Sequence, residues 1–218
     1  MPVWSNFIRS GAWITGLGAA LAWSALPLAR AGNIVEEWSH VRVPPPPVLK
    51  AVHIKPASTA LIVMDISVRT CSRAHRPLCA ASLPAIANLV REARASGVTV
   101  LYSLIGHDSR RDIPQALAAR PADTVLKGAG PDKFLGTDLG SILKAKHITT
   151  VITVGTSAEG AVLSTASAAA FRGLQVVVPV DGMSSGTSYG EQSTAWYLAH
   201  APRVAQRTTL TTVEMMSF

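Results

Sequence analysis

The sequence has little charge and little cysteine. Charged residues make up 15% of the 218 residues, whereas hydrophobic residues make up 48%. A composition this apolar excludes the intrinsically disordered class, which combines low hydrophobicity with high net charge. Two cysteines are too few for a four-cysteine zinc site or for a small domain stabilised by many disulfides. The length predicts one domain, or one domain with an appendage.

Acidic residues are absent from residues 1–31, which contain only two basic ones. Residues 11–28 carry no charge, and an Ala-Arg-Ala triplet then ends at Ala31. This pattern is typical of a secretory signal peptide, and we predict cleavage after Ala31. The alternative is a membrane anchor, because the uncharged run approaches the ~20 residues that span a bilayer. We therefore expect a periplasmic or secreted protein, without stable membrane insertion after cleavage.

The formal net charge of +7 is not concentrated in one basic stripe. The nearest approach to a cluster consists of Arg69, Arg73, Arg76, Arg110 and Arg111, and no aromatic residues interleave with them. Because nucleic-acid binding needs a basic stripe or a recognisable module, we predict no nucleic-acid partner. A small molecule is the expected binding partner.

The two cysteines, Cys71 and Cys79, are close together in the sequence. An exported protein folds in an oxidising compartment, which favours a disulfide between them over two buried free thiols. A metal pair is disfavoured because only His75 lies nearby. We predict a disulfide, no metal site and no cofactor.

The rest of the chain divides into an arm over residues 32–58, with four consecutive prolines, and a domain over residues 59–218. Apolar runs alternate with helical patterns throughout the domain. Predicted strands cover residues 60–65, 98–105, 124–127, 149–154, 174–180 and 208–213, and predicted helices cover 83–96, 138–146, 160–171 and 190–200. This alternation predicts a three-layer α/β/α fold with a mostly parallel sheet of about six strands.

Ligands of such sheets lie outside the carboxyl ends of the strands, so the residues that follow each strand are the candidates for a site. Asp65 follows an apolar strand, where partial desolvation suits a proton-transfer role. Lys127 follows another strand, and His107 and residues 155–161 follow two more. The alternative roles are a turn residue for Asp65 and a surface lysine for Lys127.

Three segments together resemble the isochorismatase-like cysteine hydrolase superfamily, which includes nicotinamidases, carbamoylsarcosine-type amidohydrolases and isochorismatases. The first is Thr-Ala-Leu-Ile-Val-Met-Asp at residues 59–65. The second is Lys127 followed by Phe-Leu-Gly-Thr-Asp-Leu at residues 134–139. The third, residues 151–181, is similar to the family's fourth strand, nucleophile turn, small-residue helix and fifth strand. The resemblance implies the family fold and assigns the catalytic aspartate and lysine to Asp65 and Lys127, with Lys133 in reserve.

The resemblance also implies a departure at the nucleophile. In the amidohydrolases the nucleophilic cysteine follows the glycine that ends the fourth strand by six residues, and here that position is Ala161. A methyl group cannot attack a carbonyl. Isochorismatases also carry a small residue there, and they hydrolyse a vinyl ether by acid catalysis.

We therefore expect a homo-oligomeric hydrolase of vinyl-ether or C–N bonds that uses Asp65 and Lys127 without a cysteine. Its expected substrate-binding residues are His107, Ser157 and Gly160. The alternative is a non-catalytic protein that keeps the fold for small-molecule binding or assembly.

Overall fold

The structure, a computed structural model, describes residues 32–127 and 130–218. The predicted signal peptide therefore lies outside the described residues and stays a prediction. The chain separates into two units, Met1–Pro44 and Pro45–Phe218. The described part of the first unit contains a short helix, α1 (Ile34–Glu37), which begins where the Asn33 side chain accepts a hydrogen bond from the Val35 backbone N–H at 2.9 Å.

The second unit is built on a parallel sheet of seven strands in the order β4-β3-β2-β5-β6-β8, with β7 paired to β5. A separate pair joins β1 to β9. The strands are β1 (Val52–His53), β2 (Thr59–Met64), β3 (Thr99–Ser103), β4 (Thr124–Leu126), β5 (Thr150–Thr156), β6 (Gln175–Pro179), β7 (Met183–Ser184), β8 (Thr208–Thr211) and β9 (Met216–Ser217). All six predicted strands are present, and the prediction of a mostly parallel sheet is confirmed.

Helices cover both faces of this sheet. They are α2 (Pro77–Ala95), α3 (Leu139–Ala145), α4 (Leu163–Phe171) and α5 (Ser188–His200), and a π-helical turn (Ala158–Val162) precedes α4. Alternate side chains of β2 enter two separate cores: Leu61 packs with α2, whereas Ile62 packs with α3, α4 and α5. This arrangement confirms the three-layer fold. No helix among the described residues is long and apolar enough to cross a membrane.

Two helices differ from the predicted bounds by more than two residues or are divided. Helix α2 begins at Pro77 rather than at residue 83, because proline is well suited to the first helical position, where its missing N–H costs nothing. The predicted helix over residues 160–171 is divided into the π-helical turn and α4.

The predicted arm is also shorter than expected. Residues 45–58 belong to the second unit rather than to an arm that ends at Ser58. The Lys50 backbone N–H donates to the Leu210 carbonyl at 2.9 Å, and β1 pairs with β9. Ile54 is only 2% exposed. The arm is shorter than predicted because the residues after the prolines make hydrophobic and strand contacts with the domain. Composition alone does not indicate these contacts.

Tyr102 on β3 ties the sheet to the segment that precedes β4. Its hydroxyl donates to the Leu117 carbonyl at 2.8 Å and accepts from the Arg94 guanidinium at 3.0 Å. Burial raises the pKa of Tyr102 to about 12. The phenol therefore remains a hydrogen-bond donor at any ordinary pH, so this link persists.

Candidate active site

The candidate site lies where β2 and β5 end side by side. These strands are the topological switch point of the sheet. From β2 the strand order runs outward through β3 and β4, whereas from β5 it runs outward in the opposite direction through β6 and β8. Gly155 pairs with Met64, and a Cβ at Gly155 would collide with the Met64 backbone. A glycine is required there for a second reason, because its φ is +127°. The close approach brings the residues after both strands together.

Asp65 follows β2 and turns its carboxylate into this junction. Its φ of 57° lies in the left-handed region, which aspartate tolerates better than most residues. The Thr70 hydroxyl donates to the Asp65 carbonyl at 2.7 Å and stabilises this turn. Asp65 is 7% exposed, so its carboxylate needs partners within the protein.

Those partners are Lys133 and Ser103. Lys133 Nζ donates to Asp65 Oδ2 at 2.7 Å, and Ser103 Oγ donates to Asp65 Oδ1 at 2.8 Å. Lys133 is completely buried, and its ammonium also donates to the Gly130 carbonyl at 2.7 Å. Each carboxylate oxygen thus accepts one hydrogen bond, and each buried charge is paired.

Helix α4 holds Lys133 in place through Thr165. The Lys133 backbone N–H donates to Thr165 Oγ1 at 3.1 Å, and that hydroxyl donates to the Pro131 carbonyl at 3.2 Å. On the other side, Thr137 Oγ1 donates to the Lys133 carbonyl at 2.5 Å. The lysine is therefore anchored through its backbone as well as through its ammonium.

The structure corrects the choice of lysine. Lys127 is exposed and lines a different cavity of about 470 Å³, so the lysine beside Asp65 is Lys133, the reserve candidate. The physical reason is the strand order. Lys127 follows β4, an edge strand two positions from β2, which is a separation of roughly 10 Å at ~4.8 Å per strand.

His107 is likewise misplaced by the prediction. It lines the same 470 Å³ cavity as Lys127, not the cavity at Asp65. Nearby, the side-chain and backbone hydrogen bonds from Ser109 lower the pKa of Asp112. Arg69 bridges Asp108 at 2.7 Å and Asp112 at 3.2 Å. These charges are already paired among themselves.

The cavity at Asp65 has a volume of about 270 Å³. The predicted residues Ser157, Gly160 and Ala161 all line it. Ala161 lies in the π-helical turn that follows β5, and the peptide bond between Thr156 and Ser157 is cis. The structure therefore brings Asp65 together with the turn that the resemblance assigns to the nucleophile.

One charged residue of this cavity, Arg76, was not among the predicted site residues. Arg76 lines the cavity and donates through Nη2 to Thr156 Oγ1 at 2.7 Å. The signal available in the sequence was its place inside the short loop between the two cysteines.

The predicted disulfide between Cys71 and Cys79 is confirmed. Their Cα atoms are 5.2 Å apart, a usual distance for such a bond. Both residues are buried, and they are the chain's two cysteines. Neither is a free thiol. Within residues 32–127 and 130–218, no group of three or more His, Cys, Asp or Glu side chains is arranged to hold a metal ion.

A family model, the isochorismatase domain, matches residues 59–212. The chain belongs to the isochorismatase family. Members of this family are hydrolases, and this protein is therefore a hydrolase. None of the curated proteins compared with the chain matches it.

Solved structures share the isochorismatase fold of this chain. An isochorismatase family protein from Desulfovibrio vulgaris superposes with a TM-score of 0.65 at 22% identity, covering 72% of this chain and 95% of the other. A cysteine hydrolase from Pseudomonas syringae superposes with a TM-score of 0.66 at 20% identity, covering 77% of this chain and 94% of the other. A nicotinamidase from Staphylococcus aureus superposes with a TM-score of 0.62 at 22% identity, covering 72% of this chain and 99% of the other. At these identities the likeness concerns the fold alone.

Proposed function

We propose that the protein is an exported hydrolase of the isochorismatase family that moves protons through Asp65, supported by Lys133, and uses no cysteine nucleophile. The observation that carries the proposal is the 2.7 Å contact between Lys133 Nζ and Asp65 Oδ2 at the wall of the 270 Å³ cavity. The substrate is a small molecule that fits this cavity.

Asp65 has the position that proton transfer requires. It lines the cavity, so its carboxyl group can approach a bound substrate or water, while its backbone and both oxygens are held by hydrogen bonds. General acid–base catalysis needs such a group within hydrogen-bond reach of the reacting atom. In vinyl-ether hydrolysis, protonated Asp65 gives its proton to the enol carbon, and water adds to the resulting oxocarbenium carbon while the carboxylate recovers a proton from that water. The hemiketal formed then collapses: its C–O bond to the alcohol breaks, the hydroxyl proton passes to the departing oxygen, and a carbonyl compound and an alcohol are released.

Lys133 acts through Asp65 rather than on the substrate. It lies behind the carboxylate, is completely buried and is not part of the cavity wall. Its ammonium compensates the negative charge that remains on Asp65 after a proton is given up. A fixed positive charge supplies this stabilisation without reorganising during the reaction.

A cysteine mechanism has no support in this chain. Both sulfur atoms are joined in the disulfide, and the residue that the resemblance aligns with the nucleophile is Ala161. Ala161 is 4% exposed and presents a methyl group to the cavity. Bond cleavage must then be completed by water.

Thiol alkylation tests this proposal directly. A panel of vinyl ethers, carboxamides and N-carbamoyl acids is screened for hydrolysis by the folded protein with and without iodoacetamide. We expect a hydrolysed substrate in the panel and no loss of rate on alkylation, whereas a cysteine-dependent nicotinamidase assayed in parallel should be inactivated. Inactivation of this protein would contradict the proposal. No turnover, combined with a panel compound that raises the melting temperature, would support the non-catalytic alternative.

Export has its own test. The predicted signal peptide should be removed when the full chain is expressed in a bacterial host, because its uncharged run ends in an Ala-Arg-Ala site. Amino-terminal sequencing of the periplasmic protein is expected to begin at Gly32. A membrane-bound protein that retains residues 1–31 would instead show that the segment is an anchor.

A further inference from the structure

The Asp65 cavity contains a second charged side chain that the proton-transfer chemistry does not use. Arg76 is half-buried in the cavity wall, where its Nη2 donates to Thr156 Oγ1 at 2.7 Å. That hydroxyl is itself fixed, because it donates to the Ser184 carbonyl at 3.3 Å and Thr156 is 3% exposed. The guanidinium is therefore held at a defined place, although one such bond uses only one of its five N–H groups.

The charges around the cavity do not balance. Asp65 and Arg76 are the charged residues among the described residues that line it, and the charge of Asp65 is compensated by Lys133. No carboxylate of the described part of the chain lies within ion-pairing distance of Arg76. One positive charge thus faces the cavity without a counterion, which suits a ligand group with a single negative charge.

The segment that carries Arg76 is short and covalently closed. Arg76 lies inside the loop that the Cys71–Cys79 bond closes, and its backbone N–H donates to the Ser72 carbonyl at 2.7 Å. The loop starts close to Asp65, where the Cys71 backbone N–H donates to the Ser67 carbonyl at 2.9 Å. At its other end Cys79 is part of α2. Arg76 is consequently held inside a short, covalently closed loop that begins six residues after Asp65.

We propose that Arg76 binds a carboxylate group of the substrate and that the Cys71–Cys79 disulfide positions it for this contact. This inference rests on the proposed function, since it concerns the substrate of the same cavity. A carboxylate is favoured over a phosphate because the cavity carries one uncompensated positive charge, and guanidinium and carboxylate form paired hydrogen bonds. With a volume of about 270 Å³, the cavity takes a small monocarboxylic acid.

Ligand binding, measured without any turnover, tests the inference. Isothermal titration calorimetry compares acetate, pyruvate and benzoate with acetamide, pyruvamide and benzamide, which match them in shape but lack the charge. At least one acid should bind about 10- to 100-fold more tightly than its amide, the range expected of a charge-assisted hydrogen bond. Arg76→Gln keeps a donor for Thr156 and should remove this preference.

A matched control is available in the same loop. Arg73 is exposed and does not line the cavity. Arg73→Gln makes the same change of charge within the same disulfide-closed segment, so it should leave the preference for the acid unchanged. An equal loss in both variants would show that only the overall charge matters, and the inference would be overturned.

The positioning role of the disulfide has a separate readout. The double variant Cys71→Ser/Cys79→Ser should lose most of the preference for acid over amide while it still binds the amide. Adding Arg76→Gln to this background should then have little further effect, because the two changes act on one contact. Full retention of the preference without the disulfide would overturn the positioning role.

The outcomes separate this inference from the proposed function. Hydrolysis of neutral substrates at a rate that Arg76→Gln does not change would overturn the inference and leave the function intact. If the protein hydrolyses no substrate but prefers an acid in a way that depends on Arg76, the inference stands and the proposed function is overturned. Tighter binding of inorganic phosphate than of every acid in the panel, or no acid bound better than its amide, would also overturn the inference.

Discussion

Replacing Asp65 by asparagine should lower the rate of hydrolysis by about 10²- to 10⁴-fold, the usual loss when a general acid–base is removed. Asparagine has nearly the same shape and can still accept a hydrogen bond from Lys133, but it can neither give up nor take up the proton. The measurement is kcat/KM for a substrate found in the hydrolysis panel, together with the melting temperature of each variant.

A stability control is needed because Asp65→Asn leaves the buried ammonium of Lys133 without its counterion. Removing one partner of a buried ion pair typically costs about 3–5 kcal/mol. The double variant Asp65→Asn/Lys133→Met removes both charges and should recover part of this stability while remaining inactive. Wild-type activity in a folded Asp65→Asn protein would show that Asp65 does not transfer the proton.

Lys133→Met should be nearly as damaging as Asp65→Asn, with kcat reduced by roughly 10²-fold, the lower end of the range for acid–base catalysis. The substitution keeps the length of the side chain but leaves the Asp65 carboxylate buried without its ion pair. A purely structural lysine would lower the melting temperature, while the protein that remains folded would keep its kcat.

Lys127→Met is the matched control, since Lys127 is exposed and lies at the other cavity. A surface substitution of this kind usually changes stability by less than about 0.5 kcal/mol. The variant should retain the activity and the melting temperature of the unmodified protein. Greater damage from Lys127→Met than from Lys133→Met would reverse the assignment and would remove the main support for the proposed function.

The positions of Asp65 and Lys133 show how far sequence patterns extend to the site. Asp65 was predictable because it follows a continuous apolar run, and in a parallel sheet such a run marks a central strand whose carboxyl end faces a ligand. Lys127 satisfied the same rule and was nevertheless misassigned. The rule identifies the correct edge of the sheet but does not give the distance along that edge.

Arg76 illustrates a different limit. A short loop between two cysteines could be predicted to form a disulfide from the expected compartment, and the structure contains this bond. Which of the loop's side chains faces the cavity depends on how the loop packs between β2 and α2. Arg76 is distinguished from the exposed Arg73 by its place in the cavity wall and by its contact with Thr156, a residue eighty positions away in the chain.

The sequence by itself determined the family, the alternation of strands and helices, the parallel sheet and the aspartate at its centre, because hydrophobic periodicity and short motifs are local properties of the chain. The tertiary structure decided which lysine is paired with Asp65 and which arginine reaches the cavity. It also decided that residues 45–58 pack with the domain. These contacts join residues distant in the chain, and they follow from strand order and from the burial of charge, which demands a partner at hydrogen-bond distance.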